Sequence, residues 1–297
     1  MTEPTVELGK VGFIGSGVMG RSMALNVMSA GYPLVVHTRT PSKAADVLQA
    51  GASWAPTIAD AVADADFVVS IVGFPSDVRE VYLAPDGVLA HARPGAVAID
   101  MTTSEPALAQ EIAAAAGARG IEALDAPVSG GDVGARDGTL SIMVGGSADA
   151  FAAALPLLET MGRTIVLQGP AGSGQHTKMC NQIVIASNMM GVMEALAYAR
   201  HAGLDPRTVL ESIGAGAAGS WSLSNLYPRV VDGDYGPGFF VEHFLKDIHI
   251  ALAEADAMGL ELNGLELAEE MYSQVVELGG ARQGTQALYR AIDPDAP

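Results

Sequence analysis

The 297-residue chain has little positive charge: 16 Lys and Arg stand against 34 Asp and Glu, a formal net charge of −18 with His neutral. A sequence-independent grip on nucleic acid needs a basic face that displaces counterions, so no nucleic-acid partner is expected. Cysteine is nearly absent. Cys180 stands alone, so no intrachain disulfide can close, and the six His form no Cys/His cluster with metal-ligand spacing, so no metal is expected. Long apolar runs are also missing. Stretches such as Phe67 to Val72 are far too short to span a bilayer, and no membrane partner is expected. The opening MTEPTVELGK has no basic segment followed by an apolar run, does not read as a signal peptide, and leaves a reducing cytoplasm as the expected compartment. No internal repeat is visible, nor any low-complexity tail beyond Asp293 to Pro297. What is present is apolar side chain, 49% against 17% charged, enough for a sizeable core and a subunit interface.

The first half alternates short β-branched runs with Ala-rich stretches, the pattern of βαβ units around a parallel sheet. Expected strands run from Lys10 to Ile14, Leu34 to Thr38, Phe67 to Val72, Ala96 to Asp100, Ile121 to Asp125, Leu140 to Val144 and Thr164 to Leu167. Helices are expected near Met19 to Ala30, Ser42 to Ala50, Ser76 to Tyr82, Pro106 to Ala116 and Asp149 to Met161, with Pro41 and Pro106 where a first turn tolerates proline. After Gly169 the strand signals stop. A run without internal proline from about Gln175 to Ala202 predicts one long helix capped at Gly203. Shorter helices follow at Pro206 to Ser212, Glu242 to Met258 and Leu265 to Leu278. The expected fold class is α/β, a Rossmann-type doubly wound sheet followed by an all-α domain. The boundary is expected near residue 168: residues 1–168 form the nucleotide-binding domain, and residues 169–297 an all-α substrate and oligomerisation domain that begins with the long interdomain helix.

The first strand leads into Gly15, Ser16, Gly17, Val18, Met19, Gly20, which fits G-x-G-x-x-G. In such a loop the first glycine makes the tight turn, the second lets a pyrophosphate approach the backbone, and the third lets helix and strand pack closely. The helix that begins near Val18 directs its amide dipoles at the phosphates. At the end of the second strand an NAD-preferring site usually presents an acid to the ribose hydroxyls. Here no acid occurs from Leu34 to Ala45, and Arg39 and Thr40 stand in its place. A guanidinium holds a 2′-phosphate that a carboxylate would repel, so NADP(H) is favoured over NAD(H), with Arg39 and Thr40 as the phosphate contacts. The plainer alternative is that Arg39 is a solvated loop charge.

Two further segments carry chemistry. Asp125 to Gly131, DAPVSGG, ends a strand and opens a glycine turn in which Ser129, Gly130 and Gly131 offer a hydroxyl and unobstructed amides to a carboxylate or oxyanion. The second is GSGQHTKMCNQ from Gly172, at the start of the long helix. Lys178, Asn181 and Gln182 lie at i, i+3 and i+4 and share one face. An ammonium beside two amides on an otherwise apolar helix can position a substrate and exchange a proton with its reacting oxygen. Against this stands a lysine that merely snorkels at the domain junction. Cys180 points off that face and reads as a small buried side chain, while His243 with Asp247 at i+4 reads as a helix surface pair rather than two metal ligands.

These motifs, in this order and over nearly the whole chain, resemble the β-hydroxyacid dehydrogenase family, which includes 3-hydroxyisobutyrate dehydrogenases and tartronate semialdehyde (2-hydroxy-3-oxopropionate) reductases. The match runs from GFIGSGVMG at Gly12 through DAPVSGG and GSGQHTKMCNQ to FLKD at Phe244 and GTQAL at Gly284. The resemblance implies that Lys178 is the catalytic lysine, that Ser129, Gly130 and Gly131 bind the substrate carboxylate, and that Asn181 and Gln182 orient the substrate. It also implies that Thr103 in DMTTSEP lies near the nicotinamide and that Lys246 approaches the cofactor from the helical domain. Phe74 and Pro75 occupy the place of the family's Leu-Pro turn, with Phe for the common Leu. Many relatives have Asn where this chain has Gln182. Tartronate semialdehyde reductases are similar to it there, which tilts the substrate toward a hydroxylated semialdehyde. Imine reductases typically lack the lysine, and a short-chain dehydrogenase needs Tyr-x-x-x-Lys, which does not occur here.

The expected reaction is therefore hydride transfer between NADP(H) and a small 3-hydroxy acid or its semialdehyde, with Lys178 as general acid/base. Reduction of succinic semialdehyde or glyoxylate is the nearest alternative, and a non-catalytic nucleotide-binding scaffold the alternative of another class. Because the family packs the long helix of one subunit against its neighbour, a homodimer or homotetramer is expected.

Overall fold

A computed structural model describes residues 8–294. The first seven residues of the segment on which the leader reading falls, and the last three residues of the tail, lie outside the described residues. Two compact units divide between Lys178 and Met179, inside the long helix.

The first unit is a nine-stranded sheet with helices between its strands. The strands are β1 (Val11–Ile14), β2 (Leu34–His37), β3 (Ser53–Trp54), β4 (Phe67–Ser70), β5 (Val97–Asp100), β6 (Glu122–Asp125), β7 (Val128–Ser129), β8 (Leu140–Gly145) and β9 (Gly162–Gly169). The helices are α1 (Val18–Ser29), α2 (Ala45–Gln49), α3 (Ile58–Val62), α4 (Pro75–Leu83), α5 (Val88–His91), α6 (Pro106–Gly117), α7 (Gly131–Asp137) and α8 (Ala148–Leu158). Strand order is β3-β2-β1-β4-β5-β6-β8-β7, with β9 on β8; the first six strands are parallel. Each seven-strand and five-helix expectation finds its element here. The short β3, α3, α5, β7 and α7, of two to seven residues, are too short to show a period in the sequence.

Side chains alternate across the sheet, so neighbours in one strand serve two cores. Val11, Phe13, Val69 and Ile99 join a cluster with α1 and α8. Ile14, Val68 and Ala98 join a second one with α4 and α6. Prolines at the first helical positions and the Thr57 and Ser147 side-chain caps fix where helices begin.

The long helix α9 (Ser173–His201) leads into the second unit, followed by α10 (Pro206–Gly214), α11 (Trp221–Asn225), α12 (Tyr227–Val231), α13 (Val241–Met258), α14 (Asn263–Glu277) and α15 (Tyr289–Ile292). Gly203 takes φ +71°, the left-handed value that ends a helix. This unit has its own core of Met189, Met193, Leu196, Phe244, Ile248, Tyr272 and neighbours. Among the described residues no helix is long and apolar enough to cross a membrane.

Candidate active site

The order of the first six strands reverses between β1 and β4, the switch point at which open α/β sheets bind ligands beyond the carboxyl ends of their strands. Register aligns those ends: Ile14 pairs with Ser70, Ser70 with Asp100, and Asp100 with Asp125. The loops that follow therefore emerge side by side.

The glycine loop leaves β1 with Gly15 at φ +96° and its N–H bonded to His37 O at 2.9 Å. A Cβ on Gly15 would stand 2.2 Å from Ile71 O, and one on Gly20 would stand 2.1 Å from Gly15 O. Gly17, in contrast, has open space where its Cβ would be. Two glycines are thus demanded by packing and one by nothing among the described residues, as a pyrophosphate at the helix start requires. Among the described residues the buried Ser16 Oγ has no hydrogen-bond partner. An open cradle beside an orphaned hydroxyl fits a nucleotide phosphate. Val18 is exposed, Met19 half-buried and Gly20 buried.

At the end of β2, Thr40 and Arg39 are exposed, and Arg39 Nη1 donates to Asp77 Oδ1 at 2.9 Å. Asp77 also accepts from Phe74 N at 3.1 Å and so caps α4. The window from Leu34 to Ala45 contains no acid, but the fold brings one there from α4. Phe74 is exposed and Pro75 half-buried at the start of that helix.

Beyond β5, the half-buried Thr103 sits between two anchored neighbours. Thr102 Oγ1 accepts from Val72 N at 3.0 Å, and Ser104 N donates to Gln175 Oε1 at 2.9 Å. Beneath this loop, Asp100 Oδ1 accepts from Ser70 Oγ at 2.9 Å and from Thr102 N at 3.1 Å, while Ser70 Oγ and Tyr82 Oη lie 2.8 Å apart. Burial raises the Asp100 carboxyl to about 6, although the Thr102 and Ser70 bonds pull the other way. Burial likewise pushes up the Tyr82 phenol.

The structure brings Lys178 to the Ser129 turn. Its side chain is only 6% exposed, and Nζ donates to Val128 O, one residue before Ser129, at 2.8 Å. Ser129, Gly130 and Gly131 are half-buried. Gly130 and Gly131 take φ +133° and +65°, values that only glycine adopts readily, and the Cβ side of Gly131 is open. A buried ammonium beside a turn with accessible amides can hold a carboxylate and pass a proton to a neighbouring oxygen.

One turn further along α9, Asn181 is half-buried and Gln182 fully buried. Both ends of the Gln182 amide are engaged within the protein. Oε1 accepts from Asn181 Nδ2 at 2.7 Å, and Nε2 donates to Asp247 Oδ2 at 2.5 Å. Lys246 Nζ stands 2.8 Å from Asp247 Oδ1, an ion pair held by charge rather than by hydrogen-bond geometry.

Two expectations need correction. Asp247 is 1% exposed and is the buried counter-ion of Lys246, not half of a surface pair with His243, because it faces α9 rather than solvent. Cys180 is exposed rather than buried, because it lies on the side of α9 that also carries the exposed Val184 and Tyr198 rather than on its core side. The sequence also left Asp125 and Gln175 without a role, beside the misplaced Asp247. Asp125 accepts from Gly172 N and Gln175 N at 2.8 and 2.9 Å. Burial raises its carboxyl, and these amides partly offset the rise. Gln175 joins α9 to the Thr103 loop, and Asp247 holds Gln182. Gln175 lies three residues before Lys178 on the same helix face, a spacing that by itself does not single it out. Among the described residues no group of three or more His, Cys, Asp and Glu side chains is placed to hold a metal.

Residues 10–169 match the NAD-binding domain of 6-phosphogluconate dehydrogenase, and residues 172–292 match the NAD-binding domain of NADP-dependent 3-hydroxyisobutyrate dehydrogenase. The chain is 55% identical over 280 residues to the uncharacterized oxidoreductase YkwC of Bacillus subtilis, covering 94% of this chain and 97% of that one. It is 47% identical to a probable 3-hydroxyisobutyrate dehydrogenase-like protein 1, mitochondrial, of Arabidopsis thaliana, covering 96% and 85%. Its fold is similar to that of Mycobacterium tuberculosis 3-hydroxyisobutyrate dehydrogenase with L-serine, at a TM-score of 0.86 and 30% identity, covering 96% and 99%. The chain belongs to the β-hydroxyacid dehydrogenase family. It is an NAD(P)-dependent oxidoreductase of the kind that acts on the CH–OH group of hydroxy acids.

Proposed function

We infer that the protein interconverts a small 3-hydroxy acid and its semialdehyde, with NADP(H) favoured over NAD(H) and Lys178 as general acid/base. The observation that carries this reading is the buried Lys178 Nζ, 2.8 Å from the carbonyl that precedes the Ser129–Gly131 turn. Gly15, Ser16, Gly17, Val18, Met19 and Gly20 would hold the pyrophosphate, Arg39 and Thr40 the 2′-phosphate, and Phe74, Pro75, Thr103 and Lys246 the remainder of the cofactor. A bound nicotinamide supplies or takes up the hydride. In the reducing direction Lys178 gives its proton to the carbonyl oxygen, becomes a neutral amine and is reprotonated from water. In the oxidising direction the neutral amine takes the hydroxyl proton. Ser129 Oγ and the Gly130 and Gly131 amides hold the carboxylate, and Asn181 orients the rest of the substrate while the buried Gln182 Oε1 fixes the Asn181 amide.

The substrate class follows from the carboxylate turn and the resemblance. The Mycobacterium tuberculosis structure with L-serine adds a 3-hydroxylated amino acid to 3-hydroxyisobutyrate as a candidate. Gln182 favours tartronate semialdehyde. The NADP(H) preference is supported by the lack of an acid from Leu34 to Ala45 and by the accessible Arg39 guanidinium, and is moderated by Asp77. Self-association is supported by the side of α9 that carries Val184 at 68% and Tyr198 at 75% exposure, on which large apolar surface faces outward.

The test is a panel of tartronate, methylmalonate and succinate semialdehydes and glyoxylate, with L-serine in the reverse direction, assayed with both cofactors. Lys178→Ala is expected to lower turnover by about 10² to 10⁴ while NADPH still binds. Near-full turnover in that variant overturns the assignment. Wild-type protein that binds NADPH but reduces nothing in the panel supports the scaffold reading instead. Sedimentation as a monomer at micromolar concentration removes the homodimer or homotetramer.

A further inference from the structure

We propose that Gln175 is a positioning residue, a clip that fixes Lys178 relative to the Thr103 loop, with Asp125 as its second anchor. The proposal rests on the reading of Lys178 as general acid/base. Gln175 is fully buried in the first turn of α9. Its Oε1 accepts from Ser104 N at 2.9 Å and its Nε2 donates to Thr102 O at 2.8 Å, so the one amide grips the backbone on both sides of Thr103. Its own N–H, with that of Gly172, donates to the Asp125 carboxylate at the end of β6. One residue is therefore bonded through its side chain to the loop expected at the nicotinamide. Through its backbone it is bonded to the strand end that leads into the carboxylate turn. Lys178 lies three residues on and along the same helix face.

The start of α9 has no slack in which to drift. A Cβ on Gly174 would stand 2.4 Å from Met143 O and 2.6 Å from Asp125 O, and one on Gly145 would stand 2.5 Å from Asp125 Oδ1. Helix stability needs only the Asp125 bonds to the free N–H groups of the first turn. The side-chain amide adds something different, one donor and one acceptor aimed at a particular loop. Glutamate of the same length offers acceptors alone while ionised, and methionine offers no strong partner for either group.

The experiment uses the full chain with NADPH and whichever semialdehyde of the panel the wild type turns over. Gln175→Met preserves volume and removes both loop bonds. It is expected to lower kcat up to about 100-fold, as a displacement of about 1 Å does, with the NADPH KM nearly unchanged. The primary isotope effect from NADPH deuterated at C4 is expected to rise as hydride transfer becomes limiting. Gln175→Glu is expected to regain activity relative to wild type as pH falls, because the protonated acid can again donate to Thr102 O. Hydrogen exchange on both variants reads the clip without turnover: the Ser104 amide and the backbone of residues 173–178 are expected to exchange faster together. If the wild type binds NADPH but reduces no semialdehyde, the general acid/base reading falls while exchange still decides the clip. Wild-type kcat and wild-type exchange in the variants overturn the clip. Loss of kcat matched by an equal loss of NADPH binding also overturns it, since that marks general loosening. Should Gln175→Met fail to fold, the pH dependence of Gln175→Glu decides.

Discussion

The sheet unit and the helical unit place their functional groups by different means. In the sheet unit, five strand ends align in register and each functional loop begins within a few residues of one of them. Its buried carboxylates are satisfied largely by backbone N–H groups and by neighbouring hydroxyls, as Asp125 and Asp100 are. In the helical unit, Asn181, Gln182, Lys246 and Asp247 form one chain of side-chain contacts between α9 and α13. Backbone anchoring fixes a loop through local geometry. Side-chain anchoring depends on two helix faces meeting, and it fails as a unit when one member is lost.

Substitutions in each unit can break or sharpen that contrast. The largest effect is expected for Gly15→Ala, which combines a backbone clash at 2.2 Å with a φ that alanine rarely adopts. A loss of more than about 4 kcal/mol is expected in urea unfolding. Gly17→Ala is expected to leave the unfolding midpoint in place and weaken NADPH binding, because only a ligand needs that space. Equal effects of the two substitutions on stability would show that the loop is shaped by packing alone.

In the helical unit, Asp247→Ala removes the carboxylate that Lys246 and Gln182 share. A loss of about 3 kcal/mol is expected, with Asp247→Asn milder because an amide oxygen can still accept from Gln182. If the alanine variant unfolds at the wild-type denaturant concentration, the side-chain network does not hold this unit together.

The third contrast is in pH. Burial raises Asp100 to about 6, above its unfolded value, so its stabilising effect is complete below about pH 4 and lost as pH rises through 6. The stability of Asp100→Asn relative to wild type is expected to improve across that window by up to about 3 kcal/mol, following 1.36 kcal/mol per pKa unit. Unfolding midpoints from pH 4 to pH 8 measure this, and a constant difference between the two proteins contradicts the raised carboxyl.

The parallel strands were legible because strands buried on both faces read as runs such as VGFI and LVVH. The long helix was legible because nothing interrupts it between Ser173 and Gly203. The short β7 and α7 were not, since a two-residue strand and a helix of GDVGARD carry no period. Lys178 could be singled out because an amine on an apolar helix is unusual. Gln175 could not, because its partners Thr102 and Ser104 lie about seventy residues earlier and are backbone groups that every sequence possesses. Asp247 was misread for a related reason: spacing along one helix shows which residues share a face, but not whether another helix covers it.

The sequence by itself determined the layers of the sheet unit, the glycine loop and the candidate chemistry of Lys178, because periodicity, glycine spacing and residue type are properties of short segments. The tertiary structure alone decided that Asp77 meets Arg39, that Asp125 and Gln175 seat the start of α9, and that Asp247 is buried. Those contacts join segments from 38 to about seventy residues apart. A bond across such a gap is set by where the fold returns the chain, which no local pattern encodes.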